Sequence, residues 1–169
     1  MNTGGVTNRI FGFCNPLIGW IPGGLGHANV WASVIFAGMS GSAVADAAGL
    51  GQIEVKAMED AGFDKDFSAA VTAASSTIGP IIPPSIPLVV YACVATNVSV
   101  SDLLIGGIVP GFLMAIGLSI AVYIIAIRRK YPKNSLPSLR QIWNDFRHAF
   151  LSLLTPIILI GGMLSGVFT

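Results

Sequence analysis

The 169-residue sequence is poor in charge, cysteine and basic clusters, and each shortage excludes a class of protein. Only 10% of its residues are charged, against the roughly 25% usual in soluble domains, while 53% are hydrophobic. Cys14 and Cys93 belong to no metal-binding or redox motif, so we interpret both as small apolar residues and expect no disulfide. No basic run with interleaved aromatic residues suggests nucleic acid. The composition predicts a membrane protein.

Signatures of enzymatic chemistry are also missing from the sequence. It contains no nucleophile–base pair, no metal-ligand cluster and no phosphate-binding glycine loop. Its first residues lack the basic start and apolar core of a secretory signal. We therefore expect neither an enzyme nor an organic cofactor.

Four prolines interrupt the apolar stretch Ser75-Ser-Thr-Ile-Gly-Pro-Ile-Ile-Pro-Pro-Ser-Ile-Pro87. A proline lacks an N–H and crowds the carbonyl four residues back, so that carbonyl loses its helical donor. The carbonyls affected are those of Ser76, Gly79, Pro80 and Pro83. Both flanks are typical of helix, which predicts a transmembrane helix over 67–98 that is broken near its middle. Because unpaired backbone groups are costly in hydrocarbon, the break must be buried in protein or line a polar cavity, and it is a candidate binding site.

A second interrupted element precedes the break, over residues 27–66. Its first apolar run, 27–38, has about 12 residues or roughly 18 Å of helix, too short for a hydrocarbon core of about 30 Å. The sequence Met39-Ser-Gly-Ser42 supplies a turn, with a glycine for unusual backbone angles and hydroxyls that cap the next helix. The chain then returns as a second helix that ends in a polar stretch. We predict a re-entrant helical hairpin.

The predicted hairpin and broken helix are flanked by an interfacial segment and an uninterrupted transmembrane helix. Residues 1–26 are too broken by glycine and proline to span a membrane, so we expect them to lie at its interface. Residues 99–130 are predicted to form a transmembrane helix, because 103–127 contains no charge. The Arg128-Arg-Lys130 sequence follows directly, and the positive-inside rule places that end in the cytoplasm.

The last part of the chain divides into two predicted segments. Apolar residues recur at helical spacing opposite polar ones between 139 and 150, so 131–150 is predicted to be a cytoplasmic amphipathic arm helix. Residues 151–169 are apolar again and begin a further transmembrane segment.

Two motifs carry a resemblance to a known family. They are Phe36-Ala-Gly-Met-Ser-Gly-Ser-Ala-Val-Ala-Asp46-Ala-Ala-Gly-Leu-Gly51 and the proline-broken stretch. In their order and spacing, and through essentially all of the chain, the sequence resembles the large membrane subunit of tripartite ATP-independent periplasmic (TRAP) transporters. The resemblance implies an all-α membrane protein with an inverted-repeat, elevator-type ion transporter fold. The family pattern has two repeats of hairpin plus broken helix and this sequence has one, so we interpret the chain as a fragment.

The same resemblance implies a function. The chain would be part of a sodium-coupled secondary transporter, a multi-pass protein of the bacterial inner membrane. It would import an organic acid, such as a C4-dicarboxylate, sialic acid or a similar carboxylate, handed over by a periplasmic binding protein. Its other partners would be a small TRAP membrane subunit, the rest of the large subunit and the lipid bilayer. A carrier or channel that needs no binding protein, and a membrane scaffold that transports nothing, remain alternatives.

The hairpin turn and the break supply the candidate site residues. Sodium is a hard cation that suits oxygen ligands at interrupted helices. We expect the sodium ligands to come from Ser40, Ser42, Ser76, Thr77, Gly79 and Pro80. We expect the substrate to be bound by Gly41, Asp46, Ser75, Pro83, Pro84 and Ser85. No Arg or Lys lies in the predicted apolar elements, so a substrate carboxylate would rely on N–H groups, hydroxyls and the bound sodium.

Structural roles remain open for the same side chains. Ser40 and Ser42 have the residue type and position of helix caps, and Asp46 is also a possible cap of the returning helix. Small hydroxyls near the break also serve helix packing in membranes. Against this, an ionisable side chain inside a membrane is costly and usually functional, which favours a binding role for Asp46.

Overall fold

The computed structural model describes residues 6–95, 97–133 and 139–164, and these residues form eight helices without a strand. The prediction of an all-α protein is therefore confirmed for the described part of the chain. The predicted segments at 1–26, 67–98, 131–150 and 151–169 each contain residues outside that part, namely 1–5, 96, 134–138 and 165–169.

The eight helices account for most of the described residues. In chain order they are α1 (Val6–Ile18), α2 (Gly24–Ser40), α3 (Ala43–Gly49), α4 (Gly51–Asp60), α5 (Lys65–Ser76), α6 (Ile86–Val94), α7 (Val100–Arg129) and α8 (Leu139–Leu164).

Helices α2 and α3 form a helical hairpin, and its tip is defined here as residues 40–42. Gly41 ends α2 in the left-handed conformation (φ 59°), and its N–H donates to the Ala37 carbonyl at 3.2 Å. Ser42 is extended, and its Oγ accepts a hydrogen bond from the Ala45 N–H at 3.4 Å, which caps α3. The chain therefore turns within the predicted segment, because glycine and serine meet the two backbone requirements of a tight turn.

The returning arm of the hairpin consists of two short helices, α3 and α4, which meet at the buried Leu50. The glycine that opens α4, Gly51, lies against α5. A Cβ at this position would come within 2.6 Å of Thr72 Cγ2, so only glycine allows the two helices to approach this closely. Small residues thus set the distance between the hairpin and α5.

The helix predicted over 67–98 is interrupted where its prolines lie. Helix α5 ends at Ser76, residues 77–85 are irregular, and α6 begins at Ile86. We call residues 77–85 the break. Ser85 caps α6, because its Oγ accepts a hydrogen bond from the Leu88 N–H at 3.2 Å.

Helix α7 packs its small residues against the break and exposes large apolar ones. A Cβ on Gly107 would overlap the Ile81 carbonyl oxygen, and one on Gly111 would overlap the Ile82 side chain. Among the described residues, α7 is the one helix long and apolar enough to cross a membrane. Its exposed apolar side chains include those of Ile105, Val109, Leu113, Ile116, Ile120 and Ile124. This surface suits contact with lipid.

Helix α8 crosses the predicted boundary between the segments 131–150 and 151–169 without a break. Pro156 lies inside this helix and packs against α2, where a Cβ on Gly38 would lie 2.7 Å from the Pro156 Cβ. The Thr155 hydroxyl donates to the Leu151 carbonyl at 3.2 Å within the same turn. Helix α8 also contacts α1, with the Phe13 and Phe146 ring centroids 5.9 Å apart. Tertiary packing therefore carries the helix through its proline.

Candidate functional site

The tip of the hairpin lies directly against the break. The Gly41 carbonyl accepts a hydrogen bond from the Ile86 N–H at 3.4 Å, and a Cβ on Gly41 would overlap the Pro84 carbonyl oxygen. A Cβ on Gly79 would lie 3.2 Å from the Ser42 carbonyl carbon. The two interruptions that the sequence indicates separately therefore meet in one place. We call this the tip–break site.

The break holds carbonyl oxygens that helix hydrogen bonds do not satisfy. The Ser76 carbonyl accepts from the Gly79 N–H at 3.1 Å, and the Pro80 carbonyl accepts from the Ser85 hydroxyl. Within the described ranges, the carbonyl oxygens of Gly79 and Pro83 accept no hydrogen bond, although both residues are buried. A buried acceptor without a partner costs free energy, so these oxygens are candidates for binding an ion.

The tip adds two hydroxyl groups. The Ser42 Oγ accepts from the Ala45 N–H, as a helix cap does, and the Ser40 Oγ accepts from the Ser42 N–H at 3.5 Å. A serine hydroxyl has two lone pairs and one proton, so each oxygen keeps one lone pair after its capping bond. Capping and cation binding are therefore compatible at both residues.

The hydroxyls at the end of α5 point back into their own helix. Ser76 Oγ donates to the Ala73 carbonyl at 2.9 Å, and Thr77 Oγ1 donates to the Ala74 carbonyl at 2.6 Å. Donation uses the hydroxyl proton and leaves both lone pairs as acceptors. Both residues lie at the boundary between α5 and the break, and their oxygens keep the capacity to bind a cation.

Two of the six predicted substrate residues, Ser75 and Ser85, are engaged within the protein. Ser85 is fully buried, donates to the Pro80 carbonyl and caps α6. Ser75 is fully buried between α2 and α5. The structure therefore gives both hydroxyls packing roles, whereas Gly41, Pro83 and Pro84 lie at the tip–break contact itself.

Ser75 belongs to a chain of polar side chains that connects α2 with α5. Ser33 Oγ donates to Ser75 Oγ at 3.1 Å, and Ser75 Oγ donates to Asn29 Oδ1 at 2.7 Å. Asn29 Nδ2 in turn donates to Thr72 Oγ1 at 2.6 Å. All four side chains are buried. We call them the α2–α5 network.

Two buried carboxylates accompany the network. Asp46 and Glu54 are each 1% exposed, and no oxygen of either carboxylate has a hydrogen-bond partner among the described residues. Asp46 lies one helical turn beyond Ser42 and faces the Ser33 hydroxyl without a well-formed hydrogen bond. Glu54 lies within electrostatic reach of Asp46 and of Cys14 on α1. The hairpin thus carries two buried carboxyl groups, and Asp46 is the one nearer in the chain to the tip.

Sequence reasoning missed Asn29, Ser33, Thr72 and Glu54. The first two are four residues apart on α2, so they share a helix face, and Thr72 shares a face of α5 with Ser75. Polar residues at helical spacing in two apolar segments are a usable signal for such a contact. Glu54 gives no comparable signal, because its neighbours Gln52, Lys56 and Glu59 are polar and suggest an exposed helix.

Comparison with known protein sequences identifies the family of the chain. All 169 residues match the sequence model of the family described as "Tripartite ATP-independent periplasmic transporter, DctM component". The chain belongs to this family. The prediction of TRAP membership is confirmed, and so is the prediction that the chain is no enzyme, because the family is a transporter permease.

Individual TRAP relatives match over the whole chain. It is 50% identical to the sialic acid TRAP transporter large permease protein SiaM of Vibrio cholerae, and covers 39% of that protein. It is 48% identical to the sialic acid TRAP transporter permease protein SiaT of Haemophilus influenzae, and covers 27% of it. It is 41% identical to the C4-dicarboxylate TRAP transporter large permease protein DctM of Vibrio cholerae, and covers 37% of it.

As a TRAP permease, the protein is a membrane protein, and the chain spans between about a quarter and two fifths of the length of these relatives. The tip–break site lies wholly within the matched residues. The geometry described above therefore belongs to a transporter component.

Proposed function

We propose that this chain forms part of a sodium-coupled importer of an organic acid in the bacterial inner membrane. The observation that carries the proposal is the contact between the hairpin tip and the break, where the buried carbonyl of Gly79 lacks a partner among the described residues. Discontinuous helices that meet in this way bind coupling ions through unwound carbonyls in secondary transporters. Family membership supports the same reading.

In this proposal one sodium ion binds between the tip and the break. Its oxygen ligands come from Ser40, Ser42, Ser76, Thr77, Gly79 and Pro80. The Pro80 carbonyl accepts from Ser85 and keeps a second lone pair. Asp46 lies buried close to the tip, and its negative charge would attract the cation and repel a substrate carboxylate. Asp46, expected from sequence to bind substrate, is thus better suited to support the ion.

The acid would bind on the side of the site formed by Gly41, Pro83 and Pro84. Both substrate classes named for the relatives, sialic acid and C4-dicarboxylates, carry carboxylates. No Lys or Arg is found among residues 40–42 and 77–85, so the compensating charge would come from bound sodium and from the N-terminus of α6. Sodium would then have to bind before the acid, which couples the two.

The hairpin formed by α2, α3 and α4 is proposed to be re-entrant, with its tip at membrane depth. Alternating access would follow from an elevator-type movement of the hairpin together with the broken helix, within an inverted-repeat assembly. The partners are proposed to be the rest of the large subunit, a small TRAP membrane subunit and a periplasmic binding protein. That protein would deliver the acid.

The test uses a full-length large permease that carries this segment, reconstituted with its small subunit and binding protein. Uptake of labelled sialic acid, or of a C4-dicarboxylate in parallel, is measured against external sodium. Ser40→Ala or Ser42→Ala should raise the sodium concentration for half-maximal uptake by about tenfold, because one oxygen ligand is lost. Ser119→Ala removes a hydroxyl from the middle of α7 and serves as the matched control. Unchanged sodium dependence in both tip variants would contradict the proposed site.

The same vesicles address the alternatives. Sodium-driven uptake at the full rate without the binding protein would favour a carrier that works alone. No uptake of either acid class under any condition would favour a scaffold.

A further inference from the structure

A cavity of about 690 Å³ lies at the end of α5 that is remote from the break. The N-terminal turn of α5 and the C-terminal turn of α7 form it. Its lining combines the cationic side chains of Lys65, Arg128 and Arg129 with the apolar side chains of Phe67 and Ile125. None of these residues takes part in the tip–break site, so the cavity is independent of the proposed transport function.

The charges around the cavity leave a positive excess. Arg129 is committed to Asp64, with an Nη1–Oδ2 distance of 2.6 Å, and the Tyr131 hydroxyl donates to the same carboxylate oxygen at 2.5 Å. In the described part of the chain neither Lys65 nor Arg128 forms a salt bridge. The remaining acidic residue of the lining is Asp66. The lining therefore has two cationic side chains without a salt bridge, those of Lys65 and Arg128, and one carboxylate without a salt bridge, that of Asp66.

The first turn of α5 also has unused hydrogen-bond donors. Asp64 occupies the N-cap position, where an aspartate usually accepts from the first N–H groups of the helix, but its side chain makes no capping bond. The carboxylate is turned to Arg129 and Tyr131 instead. In the part of the chain that the structure describes, the N–H groups of Asp66 and Phe67 consequently have no side-chain acceptor, and N–H groups at a helix N-terminus suit an anion.

The residues beside the cavity are of the types expected at the level of lipid headgroups. The cavity lies where the apolar run of α7 ends in Arg128 and Arg129, at the depth where a membrane span leaves the hydrocarbon. An aromatic cluster adjoins it, with the Tyr131 ring centroid 4.6 Å from that of Phe63 and 4.9 Å from that of Phe67. Such amphipathic rings are typical of the membrane interface.

We propose that this cavity binds the headgroup of an anionic phospholipid. Lys65, Arg128 and the first N–H groups of α5 would hold the phosphate, and the acyl chains would lie along Phe67 and Ile125 towards the apolar surface of α7. Basic pockets between helices at the cytoplasmic side of membrane proteins bind anionic headgroups in this way. The bound lipid would fix α5, and with it the hairpin, to the end of α7.

The experiment measures lipid retention by the full-length large permease that carries this segment, purified in detergent, using native mass spectrometry. Phosphatidylglycerol is compared with phosphatidylcholine and with inorganic phosphate. The double variant Lys65→Gln/Arg128→Gln should weaken phosphatidylglycerol binding at least about fivefold. The variant Arg9→Gln/Lys56→Gln loses the same charge elsewhere and should bind as the unmodified chain does. The exchange Lys65→Arg/Arg128→Lys keeps both charges and should retain binding.

Lys65 and Arg128 are both exposed, so their replacement should leave the helical circular dichroism spectrum unchanged. Equal weakening by the two charge-removing doubles would show a general charge effect and overturn the proposal. Binding of phosphatidylcholine as tightly as phosphatidylglycerol would overturn it as well. Inorganic phosphate that binds as tightly as the lipid would show a site for soluble anions and also contradict it.

Discussion

The α2–α5 network and the tip–break site both lie where the hairpin meets the broken helix. They differ in whether their buried polar groups have hydrogen-bond partners. In the network, each of the four side chains is hydrogen-bonded to another across the helix contact. At the tip–break site, buried carbonyls of Gly79 and Pro83 have no partner in the described chain. Since unpaired buried groups are costly, the first arrangement stabilises the fold and the second is available to a ligand.

The difference arises from the backbone. Along α2 and α5 the regular helix satisfies the carbonyls, so only side chains need partners, and neighbouring side chains supply them. In the break the prolines remove donors from the chain itself. A structural contact and a candidate binding site therefore lie only a short distance apart along α5.

The largest expected effect comes from forcing the two sides of the tip–break site apart. Gly41→Ala adds a Cβ that overlaps the Pro84 carbonyl, at a left-handed φ that costs a non-glycine residue roughly 1–2 kcal/mol. Uptake by the full-length permease should fall by about a hundredfold. Gly62→Ala is the matched control, because Gly62 also has positive φ (90°) but no atom lies within 4 Å of its Cβ position. Similar uptake by the two variants would show that the tip–break contact is dispensable.

The next effect concerns the network. Asn29→Ala leaves the hydroxyls of Thr72 and Ser75 buried without one of their partners, which should lower the free energy of unfolding in mixed micelles by about 2–3 kcal/mol. Ser119→Ala removes a buried hydroxyl that has no hydrogen-bond partner among the described residues, so it should not lower the free energy of unfolding. Sodium binding is measured in the same variant. If Asn29→Ala lowered the free energy of sodium binding by more than it lowered the free energy of unfolding, the network would belong to the ion site and our distinction between the two would be wrong.

A smaller effect should separate the two buried carboxylates. Asp46 lies one turn from the tip, whereas Glu54 lies on α4 beyond Leu50. Coulomb attraction falls with distance, so Asp46→Asn should raise the sodium concentration for half-maximal uptake by about fivefold and Glu54→Gln by less than about twofold. Equal shifts in the sodium titration would show that both carboxylates, or neither, act on the ion.

The smallest effect lies outside the membrane elements, at Asp64. Hydrogen bonds from Tyr131 and Arg129 hold the pKa of this carboxyl below its usual value. A group whose pKa is lower in the folded state contributes stability above its unfolded pKa and loses it as the pH falls through the folded pKa. Asp64→Asn should therefore lower the melting temperature slightly at pH 7, and the difference from the unmodified chain should vanish in acid. A difference that persists below the folded pKa would contradict the ion pair's role.

The sequence allowed the two interruptions to be predicted, because proline and glycine act on the backbone locally. Four prolines mark the break, and Gly41 with Ser42 marks the turn. That the two meet could be expected only from the family resemblance, since the contact joins residues distant in the chain. The α2–α5 network was missed for the same reason, because its hydrogen bonds also join residues that are distant in the chain.

Helix α8 illustrates the opposite error. The sequence predicts a boundary between residues 150 and 151, but the helix continues to Leu164, and Pro156 within it packs against Gly38 on α2. The burial of Glu54 is likewise decided by packing of α4 between other elements and not by the polarity of its neighbours. Predictions from neighbouring residues are correct where the local backbone determines the structure. They fail where contacts between distant residues determine it.

The central claim is that the tip and the break bind one sodium ion together. Equilibrium binding of radioactive sodium to the purified full-length permease tests it without any transport step, in Ser42→Ala, in Ser76→Ala and in the double variant. We expect each single change to weaken binding by about tenfold, and the two effects not to multiply, because both hydroxyls contact the same ion. Unchanged sodium affinity in both single variants, or effects that multiply as at independent sites, would contradict the account.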